Sequence, residues 1–310
     1  MIAYYVKMVY QDSNIVRHDS DFLSKGVRCA GWLFRPGKVL NPPIVIMAHG
    51  FAGERTFGLP VFAQRFAQNG MAVFLFDYRN FGDSEGQPRN LVDPARHCQD
   101  WESAIAHVWS LPEIDTGRIA LWGTSLSGGH VIVTAARQKG ISAIVAQVPY
   151  VGPNKDLFEF KNTIRGTMAA LQDMGKMLIG RGPFCVPVVG TPGAFAFLTT
   201  EECWDGYHSI IPDGLSWDNL IPARSLFKLA FYNPMRSAAK VTCPALLIAG
   251  EYDSLIPSKM VKQAARKMAK RTYIELPCNH FAPYTGEFFE QTVRLEIEFL
   301  HEHLKIYDQY

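Results

Sequence analysis

Six short stretches of the chain are apolar almost without a break: residues 44–48, 71–76, 119–122, 141–148, 245–249 and 272–276. Runs of this length, rich in β-branched side chains, predict strands covered on both faces. The segments between them carry a helical period. Residues 57–68 place Phe62, Ala63 and Phe66 at core spacing before a stop at Asn69-Gly70, and 94–110 place Trp101, Ala104, Ile105 and Val108 on one face behind an Asp93 cap and Pro94. Further helices are predicted from about 126, over 258–269 and over 287–304, the last with Phe288, Val293, Ile297 and Leu304 inward. Residues 3–10 and 26–34 alternate loosely and predict an opening antiparallel pair. Strand and helix in alternation define an α/β chain: a mostly parallel central sheet flanked by helices on both faces.

From 151 to 240 the pattern changes. Strand-like runs disappear, Gly, Pro, Met and Phe become frequent, and helical stretches fall at 163–179 and 222–231. This reads as a helical cap inserted into a core made of residues 1–150 and 241–310. Composition agrees with one large core: 310 residues, 48% hydrophobic, 19% charged. A net charge of +2 argues against nucleic acid or an anionic membrane as partner. The six cysteines form no C-x-x-C pair and read as reduced, mostly buried thiols. The first residues lack a signal-peptide pattern, and no apolar run reaches the ~18 residues of a membrane span, so a cytoplasmic protein is expected.

In parallel sheets, chemistry gathers beyond the carboxyl ends of the strands. Four such ends carry reactive side chains. Gly123-Thr124-Ser125-Leu126-Ser127-Gly128-Gly129 reads as a strand, a tight turn and a helix, with Ser125 at the apex between small neighbours. Asp253 follows 245–249, His280 follows 272–276, and His49-Gly50-Phe51 follows 44–48. A serine hydroxyl needs a base to take its proton as it attacks. Histidine can accept that proton and return it to the leaving group, and a carboxylate behind it fixes its tautomer. Ser125, His280 and Asp253 are the candidates for these roles, with the backbone N–H groups of Phe51 and Leu126 as donors to the developing oxyanion.

The alternatives are specific. Ser125 could be an ordinary turn serine or a helix N-cap. Ser127 is a decoy facing helix packing. Glu251 is the rival acid to Asp253. Asp77 and Asp83 read as ties for the turn after their strand. His49 reads as a support for the Phe51 loop, and His97, His107, His130, His301 and His303 as surface or core residues. Tyr150 could donate to the oxyanion or simply pack. The Met and Phe residues of the insertion could be ordinary core or line an acyl pocket. No metal or phosphate motif is present, so neither a metal nor a cofactor is expected.

Taken together, His49-Gly50-Phe51, residues 76–86, the Gly123–Gly129 stretch, and Gly250-Glu251-Tyr252-Asp253 with Ile256-Pro257 resemble the serine hydrolases of the α/β-hydrolase superfamily. Within it the layout resembles dienelactone-hydrolase-like and acyl-peptidase-like esterases with a helical insertion. Two positions depart from the family pattern: Asn80 stands where Gly usually follows Asp-x-Arg, and Ser127 stands for the last elbow Gly. The resemblance implies cleavage of an ester-type bond in a small acyl substrate through an acyl-enzyme. The same residues would serve a thioester, an amide or peptide, or an activated C–C bond. From another class, a ligand receptor could have kept the fold without the chemistry. An apolar surface on the insertion could pair two copies as a homodimer.

Overall fold

The computed structural model describes residues 15–37, 39–154 and 160–306. In chain order, β1 (Ile15–Asp19), a hairpin of β2 (Phe22–Ser24) and β3 (Val27–Cys29), β4 (Gly31–Pro36) and β5 (Pro43–Ala48) lead into α1 (Leu59–Gln68). Alternation follows: β6 (Ala72–Phe76), α2 (Pro94–Trp109), β7 (Asp115–Thr124), α3 (Leu126–Ala135) and β8 (Ile141–Gln147). Next come α4 (Phe160–Leu178), β9 (Cys185–Pro187), α5 (Cys203–Ser209), β10 (Leu220–Pro222) and α6 (Ser225–Ala230). The chain closes with β11 (Ala245–Gly250), α7 (Ser258–Lys267), β12 (Arg271–Leu276) and α8 (Gly286–Leu304).

Eight strands form one sheet in the order β1-β4-β6-β5-β7-β8-β11-β12. β4 pairs antiparallel with β1 and β6, and every other pair is parallel. The apolar runs sort by period two onto the two faces. In β5, Ile44 and Ile46 join the core beneath α2, α3 and α7, while Val45 and Met47 join the core beneath α1 and α8. In β7, Ile119 and Leu121 take the first face, and Ala120 and Trp122 the second. This two-sided burial is why these strands read as continuous apolar runs. Each fully buried Phe or Leu in the sheet contributes about 1.5–3 kcal/mol relative to exposure.

Some expectations are corrected. The opening strand at 3–10 lies outside the described residues, and the partner of β4 at the sheet edge is β1, whose Val16 is exposed and whose sequence lacks a clean alternation. The stretch 26–34 is broken at Ala30 into β3 and β4, with β3 turned away to pair with β2. The segment 151–240 is not purely helical. β9 and β10 form a small antiparallel pair, and the helical stretch expected at 222–231 shortens to α6 because Leu220–Pro222 is strand. Ala169, Val186, Tyr207 and Ala223 from this segment sit in the same core cluster as the residues of α2 and α3. The exposed face of α4 carries Ile164, Met168, Leu171 and Leu178.

The turn from β7 into α3 sets the closest approach in the sheet. A Cβ on Gly123 would lie 2.4 Å from the Ser127 carbonyl oxygen, and one on Gly128 would lie 2.7 Å from the Pro149 Cβ. Position 127 itself tolerates a side chain: the Ser127 hydroxyl is fully buried and hydrogen-bonds the Tyr78 hydroxyl at 2.8 Å. Asn80 sits at φ 79, the conformation for which the family pattern uses Gly. Asn tolerates that region, and its amide donates to the Pro88 carbonyl at 2.6 Å. Both departures from the family pattern thus fit without opening the turn.

Gly123→Ala is expected to destabilise the protein by about 2 kcal/mol or more, because backbone rather than a flexible side chain meets the new methyl. Gly175→Ala, in α4 with nothing within 4 Å, is expected to be neutral or slightly stabilising. Thermal melting of the two variants checks the contrast; equal melting temperatures would contradict the close approach.

Candidate active site

Ser125 stands at φ 54, ψ −121, a strained conformation for a residue with a side chain. Its position is fixed by its own backbone: the N–H donates to the Gln147 carbonyl at 2.9 Å, and the C=O accepts from the Tyr150 N–H at 2.8 Å. Ser125 occupies the N-cap position of α3, yet its side chain makes no capping bond. The hydroxyl instead meets the His280 Nε2 at 3.0 Å. The other ring nitrogen, Nδ1, meets the Asp253 Oδ2 at 2.7 Å. The second Asp253 oxygen accepts from the Leu255 and Ile256 N–H groups at 2.9 and 2.7 Å. That grip turns the carboxylate toward the ring. Glu251, the rival acid, is exposed, and Ser127 faces Tyr78.

With Asp253 accepting, Nδ1 carries the proton and the neutral ring presents a lone pair at Nε2 to the Ser125 hydroxyl. Burial of the imidazole opposes protonation. The charge and hydrogen bond of Asp253, with the charge of Glu202, outweigh it and raise the His280 pKa above its ordinary 6.5.

Phe51 and Leu126 both border the cavity above Ser125. Leu126 opens α3, so its N–H belongs to the free donors at a helix start. The Phe51 loop is held from two sides. The His49 ring is 2% exposed, its Nδ1–H donates to the Gly50 carbonyl at 3.1 Å, and burial drives its pKa down to about 3. It is a neutral support packed on Tyr78, with ring centroids 4.7 Å apart. From the other side, the Tyr207 hydroxyl of α5 donates to the Phe51 carbonyl at 2.8 Å. Gly50 passes so near that a Cβ there would lie 3.0 Å from the Ser125 Cβ.

Asp77 accepts the Arg55 N–H at 2.6 Å and the Asp83 N–H at 3.2 Å, so it ties the two turns, as read from the sequence; it also ion-pairs with the Arg55 guanidinium. The Asp83 side chain meets a side chain instead: its carboxylate accepts from the Arg55 guanidinium at 2.6 Å. Tyr150 lines the cavity, but its ring stacks on Tyr232 and its hydroxyl donates to the Tyr232 carbonyl at 3.5 Å. Of the remaining histidines, His97 of α2 and His130 of α3 are buried and bonded to each other at 3.2 Å.

The cavity measures about 250 Å³. Core and insertion share its wall, with Phe195, Phe197, Val186 and Leu226 facing Ser125 and His280 across it. Among the described residues, no Asp, Glu, Lys or Arg lines it. Phe195 and Phe197 therefore line the pocket, and among the described residues no Met does. Among the described residues no cluster of three or more His, Cys, Asp or Glu could hold a metal ion. Two residues that touch the site were not foreseen: Glu202 and Tyr207. They lie in the segment without strand pattern, where an acidic pair and a lone tyrosine carry no signal of what they meet.

An elbow serine after β7, a carboxylate after β11 and a histidine after β12 of this sheet are the arrangement of α/β hydrolases. The chain belongs to the alpha/beta hydrolase family, whose pattern matches residues 45–292. It is 36% identical over 284 residues to the quorum-quenching protein AidA of Acinetobacter baumannii, covering 91% of this chain and 93% of that one. It is 25% identical over 296 residues to the polyketide transferase af380 of Aspergillus fumigatus, covering 93% and 99%. The crystal structure of the α/β hydrolase GrgF from a Penicillium species superposes with a TM-score of 0.81 at 23% identity, over 94% of this chain and all of that one.

The His280 ring must be neutral to take a proton. Its raised pKa therefore predicts a kcat/KM that falls on acidification, with a midpoint above 6.5. Asp253→Asn removes the main stabilising charge; it should move that midpoint to lower pH and cut the plateau about a thousandfold. A pH–rate profile of both proteins is the check, and a midpoint that rises in the variant would contradict the arrangement.

Proposed function

We propose that this protein is a cofactor-free serine hydrolase that cleaves the carboxylic ester of a small, uncharged acyl compound. The observation that carries this is the relay from Asp253 through His280 to a Ser125 hydroxyl free of any capping bond, opening on a cavity whose described lining holds no Asp, Glu, Lys or Arg. Ser125 attacks the carbonyl carbon as His280 Nε2 takes its proton. The oxyanion forms between the Phe51 and Leu126 N–H groups. His280 then returns the proton to the leaving alcohol, and Asp253 stabilises the imidazolium in between. Water, deprotonated by the same ring, hydrolyses the acyl-enzyme. The relay needs no metal or cofactor to run.

The insertion, read as a cap over a core of 1–150 and 241–310, selects the acyl group. The core-plus-cap layout remains the basis for the dienelactone-hydrolase-like or acyl-peptidase-like reading of subtype. The relative named for quorum quenching supports a small diffusible substrate. The relative named a polyketide transferase supports a second reading, in which the acyl-enzyme forms from a thioester or passes to an acceptor other than water. The six free thiols fit a cytoplasmic setting, and no helix of the described residues is long and apolar enough to cross a membrane. Pairing of two copies is supported by the exposed stripe Ile164, Met168, Leu171 and Leu178 on α4. Sedimentation velocity, with Leu171→Glu abolishing a dimer, tests it.

Ser125→Ala should abolish hydrolysis of p-nitrophenyl esters and labelling by a fluorophosphonate while leaving the melting temperature within a few degrees. With the wild type, octanoyl should exceed acetyl in kcat/KM by roughly tenfold or more, since each buried methylene adds about 0.8 kcal/mol. Undiminished turnover in Ser125→Ala would overturn Ser125 as the nucleophile, and no label on the folded wild type would overturn the reading in favour of a receptor.

A further inference from the structure

Glu202 is the N-cap residue of α5 and does not cap it. An acidic side chain at a helix start is normally drawn to that helix's own amides. Here the carboxylate is turned outward from the insertion onto two loops of the core. Oε2 accepts the His280 backbone N–H at 3.0 Å. Oε1 accepts the Ser254 N–H at 2.8 Å and also the Ser254 hydroxyl. The Ser254 hydroxyl meets Thr200 at 2.7 Å as well. The residues gripped are His280 itself and the one that follows Asp253. Each is held by a charge-assisted bond, the stronger kind. Nothing else described from the insertion bonds both of these loops.

We propose that Glu202 is a positioning residue that fastens the acid loop and the base loop to each other from the insertion, and that its negative charge acts on the His280 ring. This rests on the reading of Ser125, His280 and Asp253 as the reacting set. The Asp253–His280 distance is then fixed twice: by their direct bond, and by one carboxylate spanning the backbones behind them. Because the clamp crosses from α5 to the core, displacement of α5 releases it. The insertion thereby governs the base as well as the pocket.

The charges facing the His280 ring are those of Asp253 and Glu202, and both favour its protonated form. The neighbouring thiols Cys203 and Cys278 and phenols Tyr207 and Tyr284 all have raised pKa values and stay neutral through the range in which the ring titrates. Removing the Glu202 charge therefore makes the ring easier to deprotonate.

The test is a pH profile of p-nitrophenyl hexanoate hydrolysis for the wild type, Glu202→Gln and Glu202→Ala, with melting temperatures alongside. Glu202→Gln keeps the shape of the side chain but loses the charge and one of its two acceptor oxygens. Its acid-limb midpoint should move to lower pH by roughly half a unit. Its plateau kcat should fall about tenfold with KM within about twofold, as expected of a misplaced base. Glu202→Ala should show the same shift and a larger fall in kcat. A structural role alone would scale the amount of active enzyme and leave the midpoint in place. A folded Glu202→Gln with an unmoved midpoint overturns the proposal, even if its kcat is reduced. The Ser125→Ala control separates the two readings. If the wild type turns over through Ser125 and the midpoint stays, the clamp alone falls; if Ser125→Ala is as active as the wild type, both fall.

Discussion

The approach of α3 to β7 is the constraint from which the site follows. Backbone passes backbone there so closely that Gly123 admits no Cβ, and the turn leaves Ser125 in a strained conformation. A relaxed N-cap serine would bend its hydroxyl back onto the helix. The strained one cannot, and its hydroxyl is left for His280. The strain is held by the ladder around it, through the Gln147 carbonyl on one side and the Tyr150 N–H on the other. Stability drawn from the two-faced sheet thus maintains a local conformation that isolated residues would abandon.

Around that point the polar groups divide by task. Asp253 uses one oxygen to anchor itself to Leu255 and Ile256 and the other to orient the His280 ring. His49, after the strand next to β7, is also close to the elbow, but burial keeps it neutral and its proton goes to the Gly50 carbonyl. The difference between the two rings lies in their partners. One has an aspartate within hydrogen-bonding reach; the other lies 3.8 Å from Asp77, whose carboxylate is already engaged by Arg55.

Much of this was legible in the sequence, and for a physical reason. Strands buried on both faces must be continuously apolar, so β5, β6, β7, β8 and β11 announce themselves, and the residues after them mark the reacting edge. The elbow is legible because close approach demands small residues at 123, 128 and 129. Short or edge elements are not legible in this way. β1 is exposed on most positions and β9 and β10 are three residues each, so neither carries a periodic signal. The contacts of Glu202 and Tyr207 were hidden for a different reason. They depend on where the insertion settles, and no local pattern encodes which distant carbonyl or amide a side chain will meet. Asn80 marks the opposite lesson: a departure from the family's glycine that the structure absorbs, because asparagine reaches the same backbone conformation.

The Tyr207 hydroxyl on the Phe51 carbonyl has a consequence for how such enzymes diversify. Insertions between β8 and β11 are usually pictured as interchangeable lids, free to vary because the chemistry sits elsewhere. Here the segment between β8 and β11 carries a bolt that fits the loop after β5. A segment grafted from a relative would have to bring a hydroxyl to the same carbonyl, or leave the peptide that follows Phe51 without this partner. One wall of the cavity and a support of the Phe51 loop are therefore inherited together, as one block of sequence.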